Sequence, residues 1–193
     1  YEYPTFDNKI KTMIDIINQT ETPMGSRLLT RWLALPLKEG KEIDERLNIV
    51  SFLKEDLDFR KIIKDNICSI GDLERLVSKA STKRINPKEV EKLKHSLISI
   101  LPIKNACQDS GLSSLKLIGK QLNGCADLVL KIEKELFENP PSLLNKGNII
   151  NKGVHDELDE LREIKRSGKE FLEKMLQEEI ERTSISSTRN SIN

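Results

Sequence analysis

The sequence predicts a mainly α protein: a multi-helical core domain, a small β-hairpin element and one long protruding helix. Three observations carry that prediction. Leu, Ile, Lys and Glu dominate a chain that is 33% charged and only 4% aromatic, a composition of amphipathic helices rather than of a β-sandwich. Apolar residues recur three and four apart along most of the chain, the period of a helix with one face turned inward. A capping residue followed by proline opens two of these periodic runs, at Thr22-Pro23 and Asn86-Pro87. There the cap accepts an orphan N–H of the first turn and the proline needs none.

The first predicted helix runs from Phe6 to Ile17, with Asp7 as its cap and Ile10, Met13, Ile14 and Ile17 on one face. The second opens at Thr22-Pro23. Met24, Leu28, Trp32 and Leu35 share a face widened by Leu29 and Leu33, Arg27 and Arg31 stay at the surface, and Pro36 stops the helix. Trp32, the single tryptophan, is expected to be buried mid-stripe and, with Leu28, to anchor the core. Ile43, Leu47 and Val50 mark a third helix, and Phe59, Ile62 and Ile63 a fourth. Gly71 breaks the chain and Asp72 caps a fifth helix that buries Leu73, Leu76, Val77 and Ala80. The expected structural core therefore includes Met24, Leu28, Trp32, Leu73 and Leu76.

Asn86 and Glu89 have the spacing of a reciprocal capping box, and the helix behind them turns Val90, Leu93, Leu97 and Leu101 inward. It is expected to run through Leu101, with a short helix after Pro102 that ends at Gly111. Two more amphipathic segments cover Ser113 to Leu122 and Cys125 to Phe137. Pro140-Pro141 and the Lys-Gly and Asn-rich turns around Ile149-Ile150 then break the helical pattern, and a small hairpin or strand is expected over Glu138 to Gly153.

Val154 to Arg182 is the longest uninterrupted helical run, about 40 Å at about 1.5 Å per residue. Asp156, Glu157, Asp159 and Glu160 crowd its first turns, where the helix dipole favours negative charge. Its apolar stripe is Leu158, Leu161, Ile164, Leu172, Met175, Leu176 and Ile180, interrupted by Gly168. The predicted division is a helical core domain over 1–153, the long helix over 154–182, and a polar segment over 183–193.

Several chemistries are weighed and set aside. A formal net charge of +1 supplies no global field for nucleic acid. Cys68, Cys107 and Cys125 contain no Cys-x-x-Cys pair; they read as small core residues of a protein in a reducing, cytoplasmic compartment. No apolar run approaches the roughly 20 residues of a membrane span. The chain begins Tyr1-Glu2-Tyr3 and reads as an excised fragment. Lys165-Arg166-Ser167-Gly168-Lys169 resembles a phosphate loop only superficially, because Glu163 takes the first glycine's place and Glu170 that of the Ser/Thr. His155 has no second histidine at ligand spacing, and His95 reads as a surface residue. No catalytic, metal or cofactor residue is assigned, and the chain is not expected to be an enzyme. Nucleic acid enters only at the end, where Arg182, Arg189 and Asn190 stand among Ser, Thr and Asn that can bond phosphate.

Four stretches taken together carry a resemblance. Thr22-Pro23-Met24-Gly25-Ser26-Arg27-Leu28-Leu29 with Arg31-Trp32-Leu33 and Pro36-Leu37, then Ile43 to Val50 with Arg46-Leu47, resemble the core-domain signature of the MutS family of DNA mismatch-repair proteins. Gly71-Asp72-Leu73-Glu74-Arg75-Leu76, and Gly153 to Gly168 around Glu157-Leu158-Asp159-Glu160-Leu161-Arg162, continue it in the family's order over nearly the whole chain. The resemblance implies the core and lever region of one arm of a two-subunit clamp around mismatched duplex DNA. The long helix would be a lever coupling a distant ATPase domain to the DNA clamp, and residues 183–193 would open the clamp or form a flexible tail. Thr188 and Asn190 depart from the apolar strand residues usual there. ATP and Mg²⁺ would belong to an ATPase domain outside this chain. The implied partners are mismatched DNA through other domains, a second MutS-like subunit and downstream repair proteins of the DNA damage response, acting at the bacterial nucleoid. The alternative is a free-standing helical protein-interaction module with no nucleic-acid role.

Overall fold

The computed structural model describes residues 12–183. The chain divides into two compact units, Tyr1–Ile149 and Ile150–Asn193. In chain order the first contains α1 (Met13–Ile17), α2 (Pro23–Ala34), α3 (Gly40–Glu55), α4 (Leu57–Cys68), α5 (Leu73–Ser81), α6 (Pro87–Asp109), α7 (Ser113–Gln121) and α8 (Ala126–Glu135). A 3-10 turn follows at Leu144–Lys146, and the second unit holds α9 (Asp156–Thr183). No helix among the described residues is long and apolar enough to cross a membrane.

The first unit is organised around α6, on which α4, α5, α7 and α8 pack. Asn86 starts this helix as its sequence requires: Asn86 Oδ1 accepts the N–H of Glu89, whose carboxylate accepts the N–H of Asn86. Its N-terminal half places Leu93 and Leu97 with Leu76 of α5, against Leu73, Cys125 and Val129. Its C-terminal half places Ile103 and Cys107 with Phe59 of α4 and Leu115 of α7. Phe52 and Phe59 meet edge to face, ring centroids 5.2 Å apart, in the arrangement their quadrupoles favour. Ser96, only 1% exposed, locks the α4–α5 connection to α6. Its hydroxyl donates to the Lys92 carbonyl at 2.9 Å and accepts the N–H of Gly71 at 3.0 Å.

Pro102 does not end the sixth helix, which runs unbroken for 23 residues. A proline inside a helix costs about 3 kcal/mol, but Ile103 and Cys107 lie beyond it and are both buried. Covering apolar side chains contributes about 1.5–3 kcal/mol each, enough to hold the chain helical past the exposed proline. Leu101, expected inward, is instead exposed, and Ile100 takes the inward position.

Other expectations need correction. Within the described residues the first helix is only Met13–Ile17, with Thr12 as its cap in a capping box with Asp15. Phe6, Asp7 and Ile10 lie outside the described residues. On α3 the exposed residues are Ile43, Leu47 and Val50, while Ile49, Phe52 and Leu53 face the core. That helix carries two apolar stripes, and the aromatic one wins the interior. Ile62 and Val77 are likewise exposed. Cys107 is buried as a small core residue, but Cys68 is exposed and Cys125 half-buried. The hairpin expected over Glu138 to Gly153 does not form: the segment holds the 3-10 turn, and the Phe137 N–H donates to the Ile149 carbonyl at 2.7 Å. Pro140-Pro141 removes two donors that a ladder would need.

Candidate functional site

The second unit is built on α9, a 28-residue helix with no buried residue. A helix that buries nothing must be held by local interactions, and its sequence supplies them. Asp159 secures the first turns: its carboxylate accepts the Gly153 N–H at 2.5 Å and an Arg162 guanidinium N–H at 2.9 Å. Arg162 also donates to the Ile150 carbonyl at 2.7 Å, so the entering chain is tied to the helix by one acid–base pair. Gly153 has φ +81, a left-handed turn that glycine makes without a Cβ penalty. The Gly153 N–H, with Arg162 beside it, holds the Asp159 carboxyl below its ordinary range.

Further along, α9 carries a ladder of ion pairs three and four residues apart. Arg166 reaches Glu163 at 2.8 Å and Glu170 at 3.5 Å, and Lys169 reaches Glu173 at 3.5 Å. Hydrogen bonding to Arg166 lowers the Glu163 carboxyl, and the same contact raises Arg166. Such pairs stabilise an exposed helix without any tertiary contact. The apolar face stays open: Leu161, Ile164, Phe171, Leu172 and Met175 are exposed, and Leu158, Leu176 and Ile180 are partly covered.

In the first unit, α2 is attached in a way its apolar pattern did not foretell. No residue of α2 is buried; Leu28 and Trp32 are 43% and 42% exposed, not the buried anchor expected, and Met24 is half-buried. Thr22 does cap the helix, accepting the Gly25 N–H at 3.0 Å. Arg27 links this helix to α5. Its guanidinium forks onto both oxygens of Asp72 at 2.7 and 3.0 Å and reaches Glu74 at 2.6 Å, tying α2 to the start of α5. The bidentate bond lowers the Asp72 carboxyl and raises Arg27. Arg46 of α3 lies over the Trp32 ring, 3.7 Å from its centroid, a cation–π contact that leaves the indole partly in water. The signal was present in the sequence: Arg27 and Asp72 sit in two of the stretches that carry the family resemblance, but only the fold pairs them.

Of the residues expected near nucleic acid, Arg182 lies in the last turn of α9 and pairs with Glu179 at 2.9 Å. Arg189 and Asn190 lie outside the described residues. Leu73 packs against a core cluster and Leu76 is buried within it. The run Lys165 to Lys169 is helical, so its backbone N–H groups are committed within α9. Among the described residues no group of three or more His, Cys, Asp or Glu could hold a metal ion. A broad groove between α3 and α7 is lined by Glu42, Glu45, Arg46, Lys116 and Lys120, charges of both signs.

The geometry defines a class: a helical scaffold domain with a long, ion-paired helix that presents one apolar face. The chain belongs to the MutS domain III family, whose model matches residues 3–192. It is 47% identical over 182 residues to the DNA mismatch repair protein MutS of Bacteroides fragilis, covering 94% of this chain and 21% of that protein. It is 48% identical over 182 residues to the MutS of Phocaeicola vulgatus, with the same coverage of 94% and 21%. With the MutS of Parabacteroides distasonis it shares 46% over 189 residues, 98% of this chain and 22% of the relative. The chain thus spans about a fifth of the length of these curated relatives. Domain III is the core and lever domain of MutS and not its ATPase domain.

Proposed function

We propose that this chain is the core and lever segment of a longer mismatch-repair protein, and that α9 carries conformational state between an ATPase domain and a DNA clamp. The observation that carries the reading is α9 itself: 28 residues without a break, no buried residue, and one apolar face left open. Local ion pairs make it stiff, and the open stripe offers a seat for a second helix of the longer protein. A stiff element with two packing states is what transmission between distant sites requires. Mismatched duplex, a second subunit and downstream repair proteins are partners of the whole assembly. Within this chain, Arg182, Arg189 and Asn190 are the positions proposed to approach DNA, through phosphate rather than base edges.

The test uses the full-length protein with Leu172→Glu and Met175→Glu together. Stimulation of ATP turnover by mismatched DNA should be lost while basal turnover persists. Coupling that survives the double substitution overturns the lever role. The chain alone should bind duplex weakly, with a shallow salt slope and no preference for a mismatch. Tight, mismatch-selective binding would move the recognition function into this domain.

A further inference from the structure

The cavity between α6 and α8 has no role in the reading above. It encloses about 350 Å³ and is walled by Leu97, Ile98, Leu101, Val129 and Leu130, with Cys125 and Ala126 at the start of α8. That volume is at the low end for small-molecule sites and suits one large side chain. Its rim is apolar as well as its walls: Ile98, Leu101 and Leu130 are all exposed. An apolar concavity inside an apolar rim is the arrangement in which a single anchoring side chain contributes most to a protein contact.

Lys104 is the one charged residue lining the cavity. It is half-buried and has no ion pair among the described residues. A cation held among apolar groups without a counter-charge favours an arriving anion. We propose that this cavity docks a short acidic segment of a partner protein, with one aliphatic or aromatic side chain seated against Leu97 and Val129 and a neighbouring carboxylate on Lys104.

Cys125 is a built-in reporter, because it lines the cavity while Cys68 is exposed elsewhere. The probes are the capped peptide acetyl-DELFDL-amide and its basic counterpart acetyl-KKLFKL-amide, with alkylation of each thiol followed by mass spectrometry. The acidic peptide should slow modification of Cys125 severalfold and leave the Cys68 rate unchanged, and the basic peptide should do neither. Lys104→Glu, a surface change whose fold is checked by circular dichroism, should reverse the preference between the peptides. Equal slowing by both peptides, parallel slowing of Cys68, no slowing, or no effect of Lys104→Glu overturns the proposal. Equal protection by octanoate alone would mark a small-molecule site and overturn the partner segment.

Discussion

Helices α6 and α9 are of similar length, 23 and 28 residues, and stand on opposite physics. Burial holds α6: Leu93, Leu97, Ile103 and Cys107 are all inside, and the helix tolerates an internal proline because of them. Nothing is buried on α9, which is held by the Asp159 bonds at its start and by the ion-pair ladder behind them. The difference teaches that a long helical pattern in a sequence does not reveal what supports the helix. Two glycines make the contrast concrete. A Cβ on Gly119 of α7 would stand 3.0 Å from Cys107 Cβ and 3.1 Å from the Lys104 carbonyl oxygen of α6, whereas one on Gly168 of α9 would meet open space.

The sharpest way to break the comparison is a matched pair of truncations. Leu97→Ala, at a site 7% exposed, should cost about 2–5 kcal/mol in a denaturant titration. Leu172→Ala, at an exposed site, should stay within about 0.5 kcal/mol. Equal losses would mean that α9 is held by packing after all. The glycines come next. Gly119→Ala should destabilise by about 1–3 kcal/mol by forcing α7 off α6. Gly168→Ala should stabilise by up to about 1 kcal/mol, since alanine is the better helix former and meets no neighbour. A destabilising Gly168→Ala would show a close contact on that face.

The smallest effect is a pH dependence. The folded-state pKa of Asp159 lies below its ordinary value of 3.8, so its contribution is complete above that value. It is lost as the pH falls below 3.8 toward the folded pKa. Acid titration should therefore loosen the first turn of α9 in that window, seen as faster amide exchange at Gly153. In Asp159→Asn this acid-induced step should vanish, leaving the Gly153 amide already fast at neutral pH. An unchanged acid profile in the variant would assign the step to another carboxylate.

Much of the fold was legible because its signals are local. Thr22-Pro23 and Asn86-Pro87 begin helices where their caps require, and the acidic residues before Leu161 begin the longest one. The family was legible in four stretches taken in order. The core residues placed wrongly share one cause. Leu28, Trp32, Leu47, Val77 and Leu101 all lie on periodic apolar stripes and all are exposed. Periodicity identifies a face, and it does not say whether another element covers that face.

The sequence by itself determined where α2, α5 and α6 begin, that α9 is long and charged, and which family the chain belongs to, since capping, spacing and motif order act over a few residues. Only the tertiary structure decided which stripe of α3 faces inward, that α6 continues through Pro102, and that Arg27 pairs with Asp72 while Trp32 stays partly in water. Those outcomes depend on residues far apart in the chain, such as Arg27 with Asp72 or Ser96 with Gly71, whose pairing exists only once the fold brings them within hydrogen-bond distance.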